Sequence, residues 1–123
     1  MRALVIDDSR TVRTIIRTIL GEVGVDVVEA GNGREGLDRL REAGDVGVVL
    51  VDWNMPEMDG LDFVKAVRAE IGYAALPLMM VTTNSEREHV ERALEAGANE
   101  YVMKPFTGAM IREKLEMLGF VAA

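Results

Sequence analysis

Apolar residues fall along this chain in two alternating rhythms. Short, nearly continuous runs rich in β-branched residues come at Ala3–Ile6, Val25–Glu29, Val46–Val51, Leu76–Val81 and Glu100–Met103. After each run the apolar positions spread to a spacing of three and four, the period of a helix with one buried side. Between Ser9 and Gly24 this sets Val12, Ile15, Ile16, Ile19, Leu20 and Val23 inward and leaves Arg10, Arg13 and Arg17 on a solvated face. Ser9 is suited to cap that helix and Gly24 to stop it. Asn32 with Glu35 reads as a cap pair for a second helix with Leu37 and Leu40 inward. A third, from about Gly60, buries Phe63, Val64, Val67 and Ile71. Ser85-Glu86-Arg87-Glu88 has the form of a capping box opening a fourth, with Val90, Ala93 and Leu94 inward and Gly97 ending it. Phe106 or Thr107 opens the last, with Ile111, Leu115 and Leu118 inward. Strands that are apolar throughout, each followed by a helix, predict a parallel sheet covered on both faces. The expectation is an α/β fold of five β/α units, one domain spanning residues 1–123.

Composition narrows the function. The 123 residues carry a formal net charge of −7, which repels a phosphate backbone and argues against nucleic-acid binding. It favours a bound cation instead. No apolar run is long enough to span a bilayer, and the N-terminus has no signal-peptide pattern, so no membrane partner is expected. Cysteine is absent, which excludes disulfides and thiolate metal sites and fits a cytoplasmic protein. The lone histidine, His89, leaves little room for imidazole ligands or a serine-histidine-aspartate triad, and is expected on a solvated helix surface. The eight methionines read mostly as core filler.

The chemistry lies where the strands end. Ligands of open parallel sheets bind beyond the carboxyl ends of the strands. Asp7 and Asp8 follow the first run, Asp52 the third, Thr82 and Thr83 the fourth, and Lys104-Pro105 the fifth, whereas the second ends in unreactive Ala30-Gly31. Three converging carboxylates repel one another unless a divalent cation joins them, and an all-oxygen set with open positions suits Mg2+. Asp52 then has the setting of an aspartate nucleophile for phosphoryl transfer, with Lys104 neutralising charge and the Thr82 hydroxyl donating to a phosphoryl oxygen.

Asp7-Asp8, Asp52-Trp53-Asn54-Met55-Pro56 with Asp59-Gly60, Thr82, Tyr101 and Lys104-Pro105-Phe106 together resemble the response-regulator receiver domain over the whole chain. The wording around Asp52 and Lys104 is similar to that of the stand-alone chemotaxis members of the family. The resemblance implies a flavodoxin-like (βα)5 three-layer sandwich with strand order 2-1-3-4-5. It implies that Asp8, Asp52 and the backbone carbonyl of Asn54 ligate Mg2+, that Asp7 helps through water, and that Thr82 and Lys104 hold the phosphoryl oxygens. It also implies a cis Lys104–Pro105 bond and a switch in which Tyr101 reports the state of Thr82. Implied partners are a sensor histidine kinase, a downstream target such as the flagellar motor switch, and a phosphatase, acting on a monomer. No output domain follows Ala123, so output is expected through binding.

Three residues carry secondary expectations. Thr83 is bulkier than the alanine or glycine common in the family at that place. Asn54 and Asn84 flank the acceptor and are expected to tune attack of water on the acyl phosphate. Trp53 is expected either to shield the acceptor or to mark a partner surface. Competing readings are a receiver in another phosphorelay or stress pathway, a dehalogenase-type phosphatase and a flavin-binding protein. The phosphatase needs an acid two residues after its nucleophile, where this chain has Asn54. Flavin phosphate would meet the Asp7-Asp8 pair.

Overall fold

The computed structural model describes residues 1–120; the expected domain end at Ala123 lies outside them. The elements alternate without exception: β1 (Arg2–Ile6), α1 (Arg10–Glu22), β2 (Asp26–Ala30), α2 (Gly33–Ala43), β3 (Val48–Val51), α3 (Gly60–Ala69), a single 3-10 turn at Ile71–Tyr73, β4 (Leu78–Thr82), α4 (Arg87–Ala96), β5 (Glu100–Met103) and α5 (Gly108–Met117). The strands form one sheet in the order β2-β1-β3-β4-β5, and every pairing is parallel. This is the flavodoxin-like order, and the reversal between β1 and β3 opens the crevice in which such sheets bind ligands.

Side chains alternate across the sheet, and the two rows pack into separate cores. Leu4, Ile6, Val49, Val51, Leu78 and Met80 join Leu37 and Leu40 of α2, Phe63, Val64 and Val67 of α3 and Ala93 of α4. Ala3, Val5, Val48, Leu50, Met79, Val81 and Val102 join Ile16 and Leu20 of α1 and Ile111 and Leu115 of α5. The result is three layers, with α1 and α5 on one face and α2, α3 and α4 on the other.

Local chemistry explains most helix ends. The Ser9 Oγ accepts the Val12 N–H at 3.2 Å, and Gly24 follows α1 at φ 79°, a conformation costly for any other residue. The Asn32 Oδ1 accepts the Glu35 N–H at 2.9 Å, while Glu35 accepts the N–H of Gly31. Asp59 caps α3 and Thr107 caps α5 through their side-chain oxygens.

Four expectations fail. α4 starts two residues after Ser85, at Arg87, and its N-cap Glu86 makes no side-chain cap bond. The chain before it is committed elsewhere, as described below. Ile71 lies past the end of α3 and is 97 % exposed, because the helix stops at Ala69 and the chain turns outward. Ile15 and Leu94 are each 46 % exposed, at the edge of stripes narrower than the run of apolar letters suggests.

Candidate functional site

Strands β1, β3, β4 and β5 deliver groups to the same rim, and β1 delivers two. The ladder continues one residue past β1 and β3: the Asp7 N–H donates to Ala30 O at 3.1 Å and the Asp52 N–H to Ile6 O at 2.9 Å. These bonds hold both aspartates in extended backbone at the β1/β3 crevice. Oxygens of Asp7, Asp8 and Asp52 all lie within 4.8 Å of one another. Asp7 and Asp52 are buried, while Asp8 is exposed at the mouth. The Lys104 N–H donates back to Thr82 O at 2.9 Å, which brings the lysine ammonium over the crevice. Its Nζ lies 2.8 Å from Asp7 Oδ2 and 3.3 Å from Asp52 Oδ2. The Lys104–Pro105 peptide is cis, as expected.

The free oxygens are accounted for. Asp7 Oδ1 accepts the Ser9 N–H at 2.8 Å, and Asp52 Oδ1 accepts the Trp53 N–H at 2.7 Å. Burial pushes the Asp52 carboxyl up; the Lys104 charge opposes this and the Asp7 charge adds to it. For Lys104 burial works downward, but the hydrogen bond from its ammonium to Asp7 and the Asp52 charge outweigh it, so the ammonium is held more firmly than usual. The site is therefore a buried acid pair bridged by one cation, with a third carboxylate open to solvent. An all-oxygen set with an exposed member fits a small hard cation such as Mg2+, which keeps part of its water shell.

A second group lines the other side. Thr82 is fully buried; its Oγ1 accepts the Asn84 N–H at 3.3 Å, and its hydroxyl faces the Asp52 carboxylate, where it works against the rise in that group's pKa. The Asn84 carbonyl accepts the Tyr101 hydroxyl at 2.5 Å, and its side-chain oxygen accepts the Asn54 amide at 3.2 Å. Asn84 thus ties together the hydroxyl beside Asp52, the loop after β3 and the aromatic ring on β5. These bonds are why the chain cannot turn into α4 at Ser85. Tyr101 packs half-buried against the α2–α4 core, and burial with the nearby Asp52 charge pushes its hydroxyl pKa up.

All the sequence-predicted residues meet here: Asp7, Asp8, Asp52, Thr82 and Lys104 at the rim, with Asn54, Asn84 and Tyr101 behind Thr82. Three features went unread. Trp53 is buried, with the His89 ring edge-on at 5.2 Å and the Arg92 guanidinium 5.8 Å from its centre. His89 lies on the surface of α4 with its side chain 32 % exposed, but its ring also packs beside the site, and among the described residues its buried Nδ1 has no hydrogen-bond partner. Arg13 and Arg17 are not simply solvated either; both bind Glu29. None of these had a local sequence signal, since each pairs residues on different elements.

Comparison with known proteins agrees with the geometry. Residues 3–116 match the family model of the response regulator receiver domain. A chemotaxis protein CheY homolog of Campylobacter jejuni is 50 % identical over 94 % of this chain and 90 % of its own. The chemotaxis protein CheY1 of Helicobacter pylori is 46 % identical over 96 % of each chain. Among solved structures, the chemotaxis response regulator CheY4 of Vibrio cholerae superposes with a TM-score of 0.89 at 33 % identity, covering 95 % of this chain and 97 % of that one. With the fold, the acidic crevice and the relatives in accord, the chain belongs to the response regulator receiver domain family, as a CheY-like signalling domain.

Proposed function

We propose that Asp52 accepts a phosphoryl group from a sensor histidine kinase and that the phosphorylated form acts by binding a protein, in control of a flagellar motor during chemotaxis. The observation that carries this reading is the Lys104 ammonium bridging the two buried carboxylates of Asp7 and Asp52. In the reaction an Asp52 oxygen attacks phosphorus, one O–P bond forms, and the P–N bond to the donor imidazole breaks. Lys104 stabilises negative charge on the phosphoryl oxygens, and Thr82 turns its hydroxyl proton toward one of them. Asp8, Asp52 and the Asn54 carbonyl would hold Mg2+, with Asp7 acting through water. Bound there, the ion would neutralise charge shared between carboxylate and phosphoryl group. Because catalysis of this kind is positioning plus electrostatics, a rim built on strand ends suits it.

Phosphorylation adds about 1.5 to 2 negative charges and three acceptor oxygens. Drawing the Thr82 hydroxyl to one of them disturbs its bond with Asn84 and hence the Tyr101 anchor. The α4-β5-α5 face then changes, and a partner that prefers the changed face binds. Asn54 and Asn84, bonded to each other beside the site, would tune attack of water on the acyl phosphate.

The test is incubation with acetyl phosphate, with and without Mg2+, followed by intact mass. A gain of one phosphoryl group that needs Mg2+ and vanishes in Asp52→Asn supports the reading; a gain persisting in Asp52→Asn overturns it. A receiver of another phosphorelay or stress pathway would pass the same test. The chemotaxis names of the relatives favour the motor, and binding of the phosphorylated protein to a flagellar motor-switch peptide separates the two. The setting for such a kinase and motor is the cytoplasm; among the described residues no helix is long and apolar enough to cross a membrane.

A further inference from the structure

The two metal-facing aspartates are consecutive, so one peptide unit joins them, and its orientation decides whether both carboxylates face the same point. The carbonyl of that unit, Asp7 O, is held by the Arg13 guanidinium at 2.6 Å. Arg13 is itself fixed: its Nε lies 3.0 Å from Glu29 Oε1, on the neighbouring strand β2. The second Glu29 oxygen binds Arg17 at 2.7 Å. Glu29 is partly buried, so its carboxylate is occupied at both oxygens by two arginines one helical turn apart. The opposite end of the Asp7 residue is held by the bond from its N–H to Ala30 O, also at β2. The joining peptide is therefore held by Arg13 of α1, which Glu29 of β2 braces, and the peptide before it by Ala30 of β2, so a strand that ends with no reactive residue supports both.

We infer that Arg13, braced by Glu29, is a positioning residue for the divalent cation: it fixes the Asp7–Asp8 peptide so that both carboxylates present to one ion. The inference rests on the metal-dependent reading of the crevice given above. Its chemistry is specific to a guanidinium. Arg presents several donors in a rigid plane and can bridge a carboxylate and a carbonyl, whereas a lysine ammonium on a flexible stem holds one geometry poorly. Charge alone would predict the opposite effect, since a cation beside a metal site repels the metal. Glu29 cancels much of that repulsion while keeping the fork in place.

The two effects separate in a calorimetric titration of the purified protein with Mg2+. Outer partners of metal ligands typically change affinity by about 10- to 100-fold. Arg13→Lys keeps the charge and loses the fork, and is expected to raise the Mg2+ dissociation constant about tenfold. Arg13→Ala and Glu29→Gln are expected to weaken binding too, with thermal melts showing each variant folded. An Arg13→Lys protein that binds like the wild type, or an Arg13→Ala protein that binds more tightly, would show that only charge is felt and overturns the inference. A folded wild type that binds no Mg2+ overturns the underlying reading of the crevice instead, so the two failures are told apart.

Discussion

Asp52, the proposed phosphoryl acceptor, is also a burden on the fold. Its carboxyl is buried beside Asp7, and its pKa lies above the ordinary aspartate value. An acid whose folded pKa is raised binds its proton more tightly folded than unfolded, so it lowers stability as pH rises through the folded pKa. In the absence of divalent cation, Asp52→Asn is therefore expected to melt a few degrees above the wild type at neutral pH. The advantage should shrink as pH falls through the raised pKa and vanish below the unfolded value; thermal melts across that range check it. The same sign governs reactivity, since only the ionised carboxylate attacks phosphorus. Gly60 shows a steric version of the same dependence. A Cβ there would stand 2.0 Å from the Asp52 carbonyl oxygen, a backbone atom that cannot move aside without dragging the acceptor. Gly60→Ala is expected to cost more than about 2 kcal/mol in urea unfolding and to slow acetyl-phosphate uptake.

Among the elements, the segment between β4 and α4 has the most to do. It spends its polar groups on Thr82, Asn54 and Tyr101 in place of a helix cap. Thr82→Ala removes the hydroxyl proposed to couple the Asp52 acceptor to this segment. It is expected to take up phosphate from acetyl phosphate yet gain little affinity for a motor-switch peptide; a normal gain in affinity would contradict the coupling. The segment also shows why sequence reading went astray. Ser85-Glu86-Arg87-Glu88 has every letter of a cap, but a cap forms only where the backbone is free to turn, and here tertiary bonds hold it. Ile71 errs for a related reason: periodicity carried the helical stripe past the point where α3 ends. Phe63 and Ile71 thus make a matched pair. Phe63→Ala is expected to cost about 3 to 5 kcal/mol, whereas Ile71→Ser should stay within about 0.5 kcal/mol, both by denaturant unfolding.

Across the whole molecule, strand apolarity and helical period were enough to show five β/α units, and the position of each acid or lysine after its strand was enough to show the rim. Strand order came from family likeness and not from any one residue. The Arg13–Glu29 brace and the Trp53–His89–Arg92 stack were invisible because each joins residues that only the fold makes neighbours, and charges at helical spacing look the same solvated or paired. The sheet also sorts function by parity. Asp7 and Asp52 continue the row of Val5 and Leu50, on the α1–α5 side, whereas Thr82 and Tyr101 continue the row of Met80, on the α2–α4 side. The acid pair and the Thr82–Tyr101 pair thus stand on opposite faces of one sheet and meet at its rim.

The bond from Lys104 to Asp7 spans 97 positions of sequence. A ribosome therefore delivers all three aspartates well before the lysine that reconciles them. Without β5 on the sheet edge, the acid cluster would lack the ammonium that bridges it. The lysine proposed to serve the phosphoryl group is thus also the last piece of the crevice to be made, and competence to accept phosphate is expected to arrive together with completion of the fold.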